Sequence, residues 1–212
     1  MDPKHYIVNH QLKDGGSIHI RSIRKEDKVL LYKGFHKLSD DSIYFRFLQV
    51  KKELSEEELA YFTEVDFVNH VALVVTISEN DDEKIIGVGR YVVLDDNNVN
   101  KSAEVAFTIA DEHQGRGIGT LLFKHLVIIA RFNKIAEFQA EILAYNQRML
   151  KLISTLGFKI KRSLESGVFH VFFSITGHES FSKSLDDHVD EVLPAIDDYK
   201  MHWKISVNKR QI

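Results

Sequence analysis

Gln114-Gly115-Arg116-Gly117-Ile118-Gly119-Thr120 follows an apolar, strand-like run and opens an amphipathic helical stretch. In that arrangement backbone N–H groups and a helix N-terminus converge on an anion, and glycine, lacking Cβ, lets the backbone approach a phosphate closely. Two well-known phosphate loops fit poorly. A P-loop ends in Gly-Lys-Ser/Thr, but Gly119-Thr120-Leu121 has no lysine, and a dinucleotide fingerprint needs a third glycine where Thr120 stands. Taken alone, the segment serves as well as a tight strand-to-helix turn. Other chemistry is thinner. There is no cysteine, which removes a disulfide framework, a thiolate metal site and a cysteine nucleophile. The 11 histidines include no His-Glu-x-x-His spacing, and His113 and His125 stand singly beside the loop and in the helix, so no metal is expected.

The elements around the loop are readable from periodicity. Tyr6, Val8, His10 and Leu12 alternate, turn at Asp14-Gly15-Gly16 and resume at Ile18 and Ile20, a β-hairpin pattern. Three short helices are expected next: one after Arg24-Lys25-Glu26-Asp27, one through Tyr44, Phe45 and Leu48, and one capped by Ser55 with Glu56, Glu57 and Glu58 in its first turn. Those three acids either attract a cationic substrate or complete a solvated helix start. Val71 to Ile77, Lys84 to Leu94 and Ala103 to Ala110 read as strands separated by polar turns. After the loop come a helix with Ile118, Leu121, Leu122, His125, Leu126 and Ile129 on one face, a strand from about Phe138 to Leu143, and a helix capped by Asn146 and stopped at Gly157. Phe158 to Ile160 and Val168 to Ile175 are the last expected strands. The order is mixed α+β rather than a repeated βαβ unit.

Beyond Gly177, Leu185, Val189, Val192, Ile196, Tyr199 and Trp203 recur at helical steps with a break near Pro194. A helical extension over 177–212 is therefore expected, packed on a domain spanning 1–176 or, alternatively, forming a homodimer contact. Its acidic run Asp186-Asp187-His188-Val189-Asp190-Glu191 lacks calcium-loop spacing and reads as a solvated face.

Composition bounds the partners. With 28 Lys and Arg against 31 Asp and Glu, the net charge of -3 gives no overall basic field for nucleic acid or an anionic membrane. No apolar run approaches the roughly 18 residues of a membrane span, and the first ten residues lack the apolar core of a signal peptide, so a cytoplasmic protein is expected.

The loop does not stand alone. Gln114, Gly117 and Gly119 fit the Q/R-x-x-G-x-G/A coenzyme A loop, with Ala103-Glu104-Val105-Ala106-Phe107-Thr108 before it and Asn146, Met149 and Leu156-Gly157-Phe158 after it, in the same order and approximate spacing. In this the chain resembles the GNAT superfamily of N-acetyltransferases. Lys13-Asp14-Gly15, Ile20-Arg21-Ser22-Ile23-Arg24 and Leu38-Ser39-Asp40-Asp41-Ser42-Ile43-Tyr44-Phe45-Arg46-Phe47 are similar to the acetyltransferase domain of Pat-type protein lysine acetyltransferases. The resemblance spans about Leu12 to Ile175.

It implies a mostly antiparallel mixed sheet with a splayed central parallel pair and helices on both faces. Acetyl-CoA would be the cosubstrate, and an amine, on a protein lysine or a small molecule, the acceptor. Phe107, Thr108 and Ile109 would offer backbone hydrogen bonds to the pantetheine arm, and Gln114 to Thr120, that is Gly115, Arg116, Gly117, Ile118 and Gly119 between them, would hold the pyrophosphate. Asn146 would touch coenzyme A as well as cap its helix. Glu104 takes the place of the glutamate that many members use as general base, with Glu141 in reserve. Many members carry a tyrosine as general acid seven residues after the asparagine; this chain has Ile153 there. A non-catalytic acyl-CoA-binding regulator is the competing class, and a dinucleotide-dependent oxidoreductase a more distant one.

Overall fold

The computed structural model describes residues 1–80, 82–95 and 101–176. The expected C-terminal helix, its acidic run and most of the turn after Asp95 lie outside the described residues. In chain order the elements are β1 (Ile7–Gln11), β2 (Ser17–Ser22), α1 (Lys28–Phe35), α2 (Asp40–Phe47), α3 (Glu56–Thr63), β3 (His70–Glu79), β4 (Asp82–Asp95), β5 (Lys101–Ile109), α4 (Ile118–Phe132), β6 (Ile135–Leu143), α5 (Gln147–Thr155), β7 (Ile160–Glu165) and β8 (Val168–Ser174). The eight strands form one sheet in the order β1-β2-β3-β4-β5-β6-β8-β7. Every neighbouring pair is antiparallel except β5 and β6.

Period-2 alternation explains how one sheet takes helices on both faces. On β3, Val71, Leu73 and Val75 join α4 residues Leu122, Leu126 and Ile129 in the main core, while Ala72 and Val74 pack the opposite way with Ile23 and Ile85. Leu31, Phe35, Ile43, Leu54 and Leu59 make a separate cluster beneath α1, α2 and α3. The α4 stripe is a broad apolar face, and nine of its side chains are buried. Phe123, fully buried, touches Phe107, Phe138, Phe158 and Phe173 at centroid distances of 6.0, 6.0, 6.2 and 5.8 Å, tying α4 to the diverging strands.

One strand differs from expectation. The run Phe158 to Ile160 is not a strand: Phe158 is a buried core side chain, and β7 runs from Ile160 to Glu165 instead. As an edge strand its side chains are almost all exposed, so it carries no alternation to read. The Glu56-Glu57-Glu58 start is a capping box, with Ser55 Oγ accepting from Glu58 N–H and the Glu58 carboxylate accepting from Ser55 N–H and Lys51.

Candidate functional site

The parallel register between β5 and β6 runs Lys101↔Ile135, Ser102↔Glu137, Ala103↔Phe138, Glu104↔Gln139, and stops. Both strands continue, β5 to Ile109 and β6 to Leu143, so they part immediately after Glu104. Strand geometry then fixes which backbone groups face the opening. Ala110 N–H donates to the carbonyl of Ile86 on the β4 side, so alternation turns the Ala106 and Thr108 backbone to β4 and the Phe107 and Ile109 backbone to the gap. Of the three residues expected to offer backbone bonds, Thr108 is the one whose amide is committed to the sheet.

The loop lies at the end of this gap. Gly115 and Gly117 have φ of 77° and 84°, left-handed values that a side chain would strain. Unlike α2, α3 and α5, α4 has no side-chain cap, and its N-cap is Gly117 itself. The first N–H groups of a fifteen-residue helix are therefore free of capping side chains, the arrangement that suits an anion. A Cβ on Gly119 would come within 3.0 Å of Leu152 Cδ1, so that glycine sets the contact between α4 and α5. Ile118 is buried in the core and Thr120 half-buried, leaving their backbones as the groups that face the loop.

Two polar side chains of the loop are already engaged. Gln114 donates from Nε2 to the Ile109 carbonyl at 2.9 Å and to Ser42 Oγ at 3.3 Å, and its Oε1 accepts from Arg148, so it joins β5, α2 and α5. Arg116 forks onto Asp14 in the β1–β2 turn, at 2.6 and 3.2 Å, and contacts His113 Nδ1 at 2.9 Å. The guanidinium, helped by the Gly16 N–H, holds the Asp14 carboxyl down at about 2. Asp14 therefore stays ionised, and the tie holds, until pH falls through about 2; the bond is present above the ordinary aspartate range and lost only in strong acid. An NMR titration is expected to find the Asp14 midpoint near that value and to find it raised toward the ordinary range in Arg116→Gln, where only the Gly16 N–H remains.

Asn146 caps α5, its Oδ1 accepting from Met149 N–H at 3.1 Å. Asn146→Ala is expected to cost about 1 kcal/mol of stability by denaturant unfolding, the usual worth of an N-cap. Ile153 is 2% exposed in the main core, so its position supplies no acid.

On the face of the sheet opposite α4, Glu104, Gln139, Glu141, His170 and Phe172 line one hollow of about 330 Å³. Ala103 and Val105 are buried against the core, and alternation turns the exposed Glu104 to this other side. Glu141 Oε1 lies 3.4 Å from His170 Nδ1. The two candidate bases thus share a hollow, at the point where the strands part. Next to it, a cleft of about 560 Å³ runs between the α1–α3 layer and β4–β5, walled by Phe35, Phe47, Phe62 and Val88, and including Thr108, Arg46 and Arg90. From the sequence neither arginine has an assigned role, although Arg46 lies in the Leu38 to Phe47 stretch. Arg90 sits inside a long apolar run, which was a usable signal; their meeting in space was not. Among the described residues no three His, Asp or Glu side chains are grouped to hold a metal, and no helix is long and apolar enough to cross a membrane.

Comparison with known proteins is consistent with this geometry. Residues 38–158 match the profile of the family described as the Acetyltransferase (GNAT) family. An acetyltransferase of Pseudomonas aeruginosa is 32% identical over 147 residues, 69% of this chain and 77% of that protein. The acetyltransferase Pat of Mycolicibacterium smegmatis is 33% identical over 147 residues, again 69% of this chain but 43% of that longer protein. The crystal structure of the GNAT domain of S. lividans PAT is 34% identical with a TM-score of 0.74, covering 82% of this chain and 99% of that domain.

Proposed function

The chain belongs to the GNAT acetyltransferase family, and from that premise we propose that it transfers an acetyl group from acetyl-CoA to a primary amine, with a protein lysine as the favoured acceptor and a small amine as the alternative. The observation that carries the reading is the parting of β5 and β6 after Glu104, with an uncapped helix start at the far end of the gap. An extended pantetheine arm suits a strand edge whose Phe107 and Ile109 backbone is turned outward, and a pyrophosphate suits the glycine-built N-terminus of α4. Acetyl-CoA supplies the activated thioester; the rest is done by the chain's own groups.

An alkyl amine of pKa about 10.4 is neutral in only about one molecule in 2,500 at pH 7. Glu104, exposed in the hollow, takes the amine's proton directly or through one water, and the freed lone pair attacks the thioester carbon. The Phe107 N–H faces the oxygen on which charge develops, a contribution of about 2.7–4 kcal/mol for one such donor. The leaving thiolate has a pKa near about 8.5, so departure needs little help from an acid, consistent with Ile153 in the place where many members have a tyrosine. With no cysteine to form an acyl-enzyme, transfer is direct and the kinetics sequential. In this reading residues 1–176 are the catalytic domain and the protein is cytoplasmic.

Similarity to the acetyltransferase Pat and to the GNAT domain of S. lividans PAT favours the lysine acceptor. Mass spectrometry of a protein panel and of a polyamine panel after incubation with acetyl-CoA tests this. Acetyl groups on protein lysines support the assignment; acetylated small amines alone defeat it.

A further inference from the structure

Two cations face the apolar cleft with no carboxylate at ion-pair distance among the described residues. The contrast with Arg21 is informative. Arg21, 3% exposed, is paired with Asp27 at 2.7 and 2.8 Å and with Glu83 at 2.9 and 3.0 Å. Arg90, 6% exposed, has no carboxylate within ion-pair distance among the described residues. Its contacts are one hydrogen bond to His70 Nε2 at 3.2 Å and the face of Phe62 at 4.4 Å. His70 is a poor counter-ion, since burial and the Arg90 charge push it down to about 4 and keep it neutral. Burial, then the charge of Arg46, push Arg90 down to about 9. A guanidinium has five donors, and most of those on Arg90 are left over.

Arg46, half-buried on α2, hydrogen-bonds to none of the described residues and lies 5.2 Å from the Phe47 ring. Burial lowers its pKa, and the field of Glu104 offsets that only in part. Thr108 adds a third unused group, a buried hydroxyl with no hydrogen-bond partner. Unpaired buried charge is costly, and an apolar side chain of similar volume would serve the fold as well or better. Two arginines with no ion-pair partner among the described residues and one unsatisfied buried hydroxyl converge on one apolar cleft, which points to a ligand.

We propose that this cleft is a carboxylate site: a ligand with a carboxylate on a short apolar stem sets its carboxylate against Arg90 and Arg46, within reach of the Thr108 hydroxyl, and its stem against the aromatic walls. A planar carboxylate matches the guanidinium fork, and the apolar walls offer nothing to a larger polar group. The site rests on the acyl-transfer reading, because Thr108 shares β5 with Glu104. Arg90 is in register with Ala106, two residues from Glu104, roughly 7 Å along the strand. A stem of a few carbons spans that, so the carboxylate belongs either to the acceptor or to the far end of the acyl group.

Calorimetry on the whole chain separates these sources. Succinyl-CoA is compared with butyryl-CoA, and, with coenzyme A present at saturation, Nα-acetyl-lysine with its carboxamide. In wild type the carboxylate member of one pair is expected to bind at least about tenfold tighter, as a charged hydrogen bond gives, with that preference lost in Arg90→Met while affinity for free coenzyme A is unchanged. A preference in the first pair assigns the carboxylate to the acyl group, in the second to the acceptor. No preference in either pair, or one that survives Arg90→Met, overturns the proposal. Loss of coenzyme A binding in wild type would instead defeat the transferase reading itself. Should Arg90→Met fail to fold, Arg46→Met and Thr108→Val report the same preference from the other groups of the cleft.

Discussion

Glu104→Gln is expected to lower kcat by about 10²–10⁴-fold, the usual worth of general-base assistance, while leaving the affinity for acetyl-CoA and the melting temperature unchanged. The separation follows from position. Glu104 is exposed, so the fold does not depend on it, and the loop at Gly115 to Thr120 lies beyond the far end of β5. The deficit should also shrink as pH rises toward the acceptor's own pKa of about 10.4, because an amine already neutral in solution needs no base. A pH–rate profile of both proteins checks this. Glu141→Gln is the control: it shares the hollow, and if it rather than Glu104→Gln abolished turnover, the base would belong to β6.

Phe123→Ala is the second large effect, and it acts on stability. The ring is fully buried among four other phenylalanines, two of them, Phe107 and Phe138, on the strands that part. Truncating such a side chain costs about 3–5 kcal/mol, a large fraction of the 5–15 kcal/mol that holds a typical domain together. Urea unfolding should show a much lower midpoint with a similar slope. Because Phe107 rests on Phe123, the surviving folded fraction should also bind coenzyme A more weakly; a loss of stability with unchanged binding would mean that the gap is shaped without this cluster.

Much of this architecture was legible in the sequence because it depends on local signals. The Ser55 and Asn146 caps, the glycines at 115 and 117 and the apolar stripe of α4 each specify their own neighbourhood, and each lies where periodicity put it. What escaped reading depends on contacts distant in sequence. The end of pairing at Glu104 is set by where β5 and β6 diverge, and no residue type marks it. Edge strand β7 carries Lys161, Arg162 and Ser163, all exposed, so nothing in its pattern distinguishes it from a loop. Arg116 illustrates the opposite case: a loop arginine suggests a phosphate ligand, but its guanidinium is spent on Asp14, more than a hundred residues earlier. In the sequence Arg90 is one polar residue in a strand; the fold sets it beside Arg46 with no ion-pair partner among the described residues.

The measurement that bears most directly on the central claim is release of free thiol from acetyl-CoA, with and without a lysine-rich protein or a polyamine, for wild type and Glu104→Gln. Release that requires an amine and collapses in the variant is the predicted result. Tight acetyl-CoA binding with no amine-dependent release across both panels would contradict it, and would make the gap between β5 and β6 a sensor of acyl-CoA rather than a place of transfer.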